Sequence, residues 1–167
     1  QNSLAKTYKV RDVAPDILLF ANLGAVQLNY GYGIDEARRA VDMIEANALF
    51  IHLNPLQEAV QPEGDRNWSG ILKKLENLIS QLDVPVVVKE IGTGLSGDLV
   101  KRLLAIGVAA VDVAGAGGTS WSEVEAERQT DTLIKKVAHS FAGWGIPTAY
   151  SLIEARREAG SIPVFAS

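Results

Sequence analysis

The chain has no cysteine in its 167 residues, which excludes disulfides, thiolate zinc sites and a cysteine nucleophile and agrees with a reducing compartment. Excess charge of either sign is also lacking: 16 basic against 20 acidic residues give a net charge of -4, spread without a basic stripe, so nothing favours a nucleic-acid partner. No apolar run approaches the ~20 residues of a membrane helix, and the opening segment 1–6 is not a signal peptide. The expectation is a cytoplasmic protein with no membrane partner. There are only 2 histidines, and no Ser-His-Asp arrangement, Walker loop or dinucleotide fingerprint is present. The turn Gly92-Thr-Gly-Leu-Ser96 lacks the third glycine that such a fingerprint needs.

What the chain does have is alternation. Strand-sized apolar runs occur at 17–21, 48–53, 85–88, 109–114 and 162–166. Between them lie segments of helical periodicity. The clearest is 69–82, where Ile71, Leu72, Leu75, Leu78, Ile79 and Leu82 form one apolar stripe. Segment 34–46 repeats the pattern, Ser96 caps a further helix that Gly107 stops, and 130–141 and 148–159 supply two more. Apolar strands alternating with amphipathic helices predict a parallel sheet covered by helices, either an open doubly wound sheet or a (β/α)8 barrel.

The polar residues decide between these. Successive strands end in Asn22, then His52 with Asn54, Gln57 and Glu58, then Lys89 and Glu90, then the segment 115–120. A barrel rim collects chemistry from many strands, whereas an open sheet concentrates it at one switch point. The expected fold class is therefore α/β of the (β/α)8 TIM-barrel type, with about five of eight strands present. A whole barrel usually takes about 250 residues. Residues 1–167 are thus expected to form a single partial TIM-barrel domain, whose open edges would invite association.

Three segments carry the candidate chemistry. Gly115-Ala-Gly-Gly-Thr-Ser120 joins a strand to the apparent helix 121–128. It reads either as an anion-binding turn, with exposed N–H groups and hydroxyls of Thr119 and Ser120, or as a tight turn in which Ser120 and Glu123 make a capping box. Lys89 ends a strand buried on both faces, where a cation must meet a carboxylate or an electron-rich ligand. The ligand could be an anionic ring, an enolate or a phosphate. From His52 to Asp65, the carboxylates Glu58, Glu63 and Asp65 and the carboxamides Asn54, Gln57 and Gln61 suit a hard cation such as magnesium. Glu63 and Asp65 are equally good turn residues. Trp68, Trp121 and Trp144 read as packing residues, and His139 is assigned no role.

Four segments carry a resemblance to a known family: Ala21-Asn-Leu-Gly-Ala-Val-Gln27, His52-Leu-Asn-Pro-Leu-Gln-Glu58 continuing to Gln61-Pro-Glu-Gly-Asp65, Val88-Lys-Glu-Ile-Gly92, and Gly117-Gly-Thr-Ser-Trp121. In these the chain resembles the type 2 isopentenyl diphosphate isomerases, the flavin-dependent family, along essentially its whole length. The resemblance implies a barrel with FMN on its C-terminal rim. It implies FMN contacts for Asn22, Lys89 and Thr119, with Lys89 beside the electron-rich pyrimidine side of the flavin and Thr119 near its phosphate. It makes Gln57 a substrate-binding residue, Glu58 the Mg2+ ligand, and His52 and Asn54 polar residues around the diphosphate.

The implied reaction converts isopentenyl diphosphate to dimethylallyl diphosphate without net redox change. Reduced FMN serves as acid and base, and NADPH serves only as its reductant, so no side chain is assigned as catalytic. A homo-oligomer, tetramer or octamer, is implied as well. Ala114 stands where many relatives carry a serine near the flavin. The family's early strands would lie before Gln1 and its phosphate-binding Gly-Gly turn after Ser167, so the 167-residue chain alone is expected not to turn over substrate. The alternatives are another FMN-dependent TIM-barrel oxidoreductase and a non-catalytic half-barrel assembly module. Among the former, inosine monophosphate dehydrogenase relatives need the missing cysteine, and 2-hydroxy-acid oxidases need a histidine base and arginines not found here.

Overall fold

The computed structural model describes residues 6–167; residues 1–5, part of the opening segment considered above for a leader, lie outside them. The strands are β1 (Phe20–Gly24), β2 (Ala48–His52), β3 (Val86–Lys89), β4 (Ala110–Asp112) and β5 (Val164–Phe165). The helices are α1 (Ile34–Ile44), α2 (Pro55–Val60), α3 (Ile71–Ile79), α4 (Gly97–Ala105), α5 (Trp121–Arg128), α6 (Thr132–His139) and α7 (Thr148–Ala159). Every neighbouring pair of strands is parallel, and the sheet order is β1-β2-β3-β4-β5. That sequential order separates the two sequence-based alternatives, because a doubly wound sheet reverses its strand order at a switch point. The fold is α/β, an unclosed arc of five strands consistent with part of a TIM-type barrel.

The two faces of the arc are built differently. On the convex face Leu49, Ile51, Val86, Val88 and Val111 pack with Ile71, Leu75 and Leu78 of α3, Ala37 and Val41 of α1, and Val100 and Leu103 of α4. These helix positions recur three or four residues apart, the spacing that keeps one stripe on the sheet. Ser96 Oγ accepts the Leu99 N–H at 3.3 Å at the start of α4, and Gly107 turns the chain after it at φ 90°. On the concave face Ala48, Val87 and Ala110 lie under Phe20 and Phe50. The Phe20 and Phe50 rings stack at 4.7 Å, and Phe20 meets Phe165 edge-on at 6.4 Å. Contact between inner side chains of β1 and β5, the two edges of the sheet, shows how strongly the sheet curls.

Several boundaries differ from the sequence-based expectation. The first strand is Phe20–Gly24 rather than 17–21. Strand formation needs a partner, and β2 offers one only from Phe20, opposite Ala48. Upstream, the Arg11 guanidinium takes the carbonyls of Pro15 and Ile17 at 3.0 and 2.8 Å, leaving Ile17 and Leu18 exposed. The segment after β2, where the sequence-based expectation names no helix, forms α2, with Asn54 before it and Pro55 at its first position, where proline's missing N–H costs nothing. The Ser120–Glu123 capping box does not form: Ser120 Oγ pairs with Ser122 Oγ at 2.9 Å, and Glu123 turns to His139. Among the described residues no helix is long and apolar enough to cross a membrane.

Candidate functional site

Strand register brings the polar residues together. Gly24 pairs with His52, His52 with Lys89, Lys89 with Asp112, and Asp112 with Phe165. Side chains alternate along a strand, so His52, Lys89 and Asp112 stand in one row at the C-terminal rim of the concave face, above the row of Phe50, Val87 and Ala110. Over this rim opens a cavity of about 730 Å³ whose lining includes Asn22, His52, Gln57, Lys89 and Thr119. A smaller, more enclosed cavity of about 40 Å³ adjoins it and shares Gln57, Gly92, Thr119 and Trp121; Asn54 lines this one. Glu58 lines neither.

His52 Nδ1 lies 2.9 Å from Asn22 Oδ1. An amide oxygen can only accept, so Nδ1 carries the proton and the neutral ring keeps its lone pair on Nε2. Burial holds the imidazole below its ordinary value of 6.5, the Lys89 charge adds to that shift, and Glu58 opposes it. Lys89 itself makes no ion pair among the described residues. Its Nζ donates to the Glu90 carbonyl at 2.9 Å. Its neighbour in the row, Asp112, makes no ion pair with it among the described residues, and the ligand cavity is present.

α2 orders a second set. Asn54 Nδ2 donates to Glu58 Oε1 at 2.8 Å and to Gln57 Oε1 at 3.3 Å, while Glu58 Oε2 accepts the Asp65 N–H at 2.7 Å. This folds 61–65 back over the helix so closely that a Cβ on Gly64 would fall 1.8 Å from the Glu58 carbonyl oxygen. Asp65 Oδ2 accepts Gln27 Nε2 at 3.2 Å. Gln57 Nε2 donates to Glu125 Oε1 at 2.9 Å and Gln61 Nε2 to the same oxygen at 2.6 Å. Glu125, on α5, was not singled out from the sequence. It is a buried carboxylate within a polar octapeptide, and no apolar periodicity marks it.

The glycine turn has a structural half and an open half. A Cβ on Gly115 would meet Thr148 Cα at 2.5 Å, whereas Gly118 has nothing within 4 Å of that position. Gly117 is equally open and sits at φ 136°, a backbone that side chains disfavour. Ala114, also on the cavity, lies at φ 34°, in the left-handed region that costs a non-glycine residue free energy. Trp121 is not the packing residue expected: it is 41% exposed on the cavity wall. Trp144 is exposed beside the smaller cavity, edge-on to Phe141 at 5.7 Å. Trp68 does pack against the core. His139 joins α6 to α5 through Glu123 at 2.9 Å and Glu127 at 3.5 Å.

The donor sets can be compared with the groups expected from sequence. Backbone left bare at Gly117 and Gly118, beside an unpaired cation and an indole, suits a flat, electron-rich ring with an anionic tail, so the residues fit FMN. For a divalent cation, no cluster of three His, Cys, Asp or Glu exists among the described residues. Glu58 and the buried, unpartnered Asn54 Oδ1 form an oxygen-rich corner. That fits a hard ion held by one carboxylate and completed by water and ligand oxygens.

No protein-family model matches the chain. Curated relatives do. The chain is similar to the isopentenyl-diphosphate delta-isomerase of Synechocystis sp., 68% identical over 164 residues, covering 98% of this chain and 47% of the relative. Its counterpart of the same name in Stutzerimonas stutzeri is 57% identical over 161 residues, 96% of this chain and 46% of the relative. That of Rickettsia felis is 53% identical over 161 residues, 96% and 47%. The chain thus spans about half the length of the curated relatives it matches. A solved structure from Mesorhizobium loti aligns over 84% of this chain and 44% of its own at 16% identity, with a TM-score of 0.29, too low to bear on the fold.

Proposed function

We propose that this chain is the cofactor- and substrate-facing part of an isopentenyl-diphosphate delta-isomerase of the flavin-dependent type, which converts isopentenyl diphosphate to dimethylallyl diphosphate. The observation that carries the reading is that Asn22, His52, Gln57, Lys89 and Thr119, drawn from distant parts of the chain, line one cavity at the strand ends. The identity to relatives bearing that name supports the substrate.

FMN, reduced by NADPH, supplies the acid and the base when bound. The chain's own residues do the rest. Lys89 would present a fixed positive charge to the electron-rich side of the ring, which would favour the anionic form. Asn22 holds the His52 tautomer and would contact the ring, so that one strand end sets the orientation of the next. Thr119 and the open glycines admit the phosphate. Gln57, held by Glu125, would bind the substrate, and its carboxamide orients without titrating. His52 and Asn54 would meet the diphosphate, and Glu58 would hold Mg2+, whose charge would neutralise it. With no side chain acting as the proton donor, the site's work is orientation and charge placement. The reading carries with it a cytoplasmic location and a homo-oligomer.

Titrating FMN into the complete protein under anaerobic conditions, oxidised and reduced, tests the cofactor half of this reading. Tighter binding of the reduced form, weakened by Lys89→Met, is expected. No binding of either form would contradict it.

A further inference from the structure

Glu90 has no part in the function proposed above, and it is a buried carboxylate, 4% exposed. Among the described residues its carboxylate makes no ion pair. Instead its Oε2 accepts three successive backbone N–H groups, of Ile91 at 2.7 Å, Gly92 at 2.9 Å and Thr93 at 2.6 Å. Gly92 lies at φ 141°, a conformation glycine adopts readily, in the middle of these converging amides. A Cβ there would also stand 3.2 Å from the Thr119 carbonyl oxygen on the cavity wall. Burying a charge costs several kcal/mol, and a neutral serine or asparagine could tie a turn without that cost.

The consequence of the charge lies on the other side of one peptide. The Ile91 N–H and the Glu90 carbonyl belong to the same planar group. In a trans peptide they point in opposite directions, and no cis bond occurs here. The carboxylate holds the N–H side at 2.7 Å, and the carbonyl side receives Lys89 Nζ at 2.9 Å. An anion on the N–H polarises the group and strengthens the carbonyl as an acceptor. Lys89 sits at a strand end with no ion pair, and this carbonyl is the acceptor that fixes its ammonium beside the cavity.

We propose that Glu90 is a positioning residue for Lys89, acting through the peptide between residues 90 and 91 to aim the ammonium at the electron-rich ligand of the cavity. That the ligand is a flavin rests on the function proposed above; the aiming does not. The side chain anchors the loop, the loop's first peptide anchors the cation, and the cation meets the ligand.

Two readouts on the complete protein test this. Without flavin, the Lys89 ζ-ammonium is followed by 15N NMR: a resonance sharp and distinct in the wild type should move to that of a free surface lysine in Glu90→Ala. In Glu90→Gln, which keeps an oxygen for the amides but not the charge, it should move in the same direction by less. An unchanged Lys89 resonance in Glu90→Ala would overturn the proposal. With flavin, the ratio of affinities for reduced and oxidised FMN is measured. Glu90→Ala should lower it by about tenfold, the scale of a hydrogen bond to a charged group. In a Lys89→Met background the same change should have no further effect. Equal effects in both backgrounds would overturn action through Lys89. A wild type that binds no flavin yet shows the NMR response would leave the positioning intact and remove the flavin.

Discussion

Gln57 Nε2 donates to Glu125 Oε1 at 2.9 Å across 68 residues of sequence, tying α2 to α5 beneath the rim cavity. Because Gln61 Nε2 shares that oxygen, Glu125→Ala strands two amide donors, one of them on a cavity-lining side chain. The expected cost is about 1–3 kcal/mol of stability, read as a lower midpoint in denaturant unfolding. Glu125→Gln, which keeps an acceptor oxygen, should lose less. Equal midpoints for the wild type and the alanine variant would show that the network holds nothing.

His52 gives the site a pH dependence of known sign. Burial and Lys89 hold its folded-state value below 6.5, so below that pH the unfolded chain binds more protons than the folded one, and stability decreases as the pH is lowered. Its contribution is fully present above pH 6.5 and is lost as pH falls through the lowered folded value. The stability difference between wild type and His52→Gln should therefore shrink from pH 7 to pH 5. A difference that stayed constant or grew would contradict the assignment, as would 15N NMR showing the proton on Nε2 rather than Nδ1 at pH 7.

The two halves of the glycine turn should respond oppositely to one added methyl group. Gly115→Ala drives a Cβ to 2.5 Å from Thr148 Cα, and such overpacking typically costs about 1–3 kcal/mol. Gly118→Ala adds a methyl to open space on the cavity wall. Stability should hold within about 0.5 kcal/mol while FMN affinity falls. Thermal melts and flavin titration separate the two. Unchanged affinity in a stable Gly118→Ala protein would remove that wall from the binding site.

The alternation of apolar runs and helical stripes made the layered fold legible, because Val86 and Val88 of the sheet and Leu75 and Leu78 of the helix bury one another. The strand-end residues were legible for the converse reason: Lys89 and His52 close apolar runs where burial alone would not put them. Other features depend on partners that a linear reading does not see. β1 starts at Phe20 because β2 begins opposite it, although Ile17 and Leu18 are as apolar. Glu125 is buried by amides from α2, so its polar neighbours in sequence hide it. Trp121 looks like core material until the turn before it places the indole on the cavity wall. The Asn54-Pro55 start of α2 did carry a helix signal, Pro at the first position, masked by the polar residues that follow.

Turnover of the complete protein is the most direct measurement: anaerobic incubation with isopentenyl diphosphate, Mg2+, FMN and a reductant, following dimethylallyl diphosphate. The expected result is product that disappears when the reductant or Mg2+ is withheld and falls sharply in Glu58→Ala and Lys89→Met. Absence of product from a protein with flavin tightly bound would contradict the isomerase reading and point to an FMN-dependent oxidoreductase acting on another substrate.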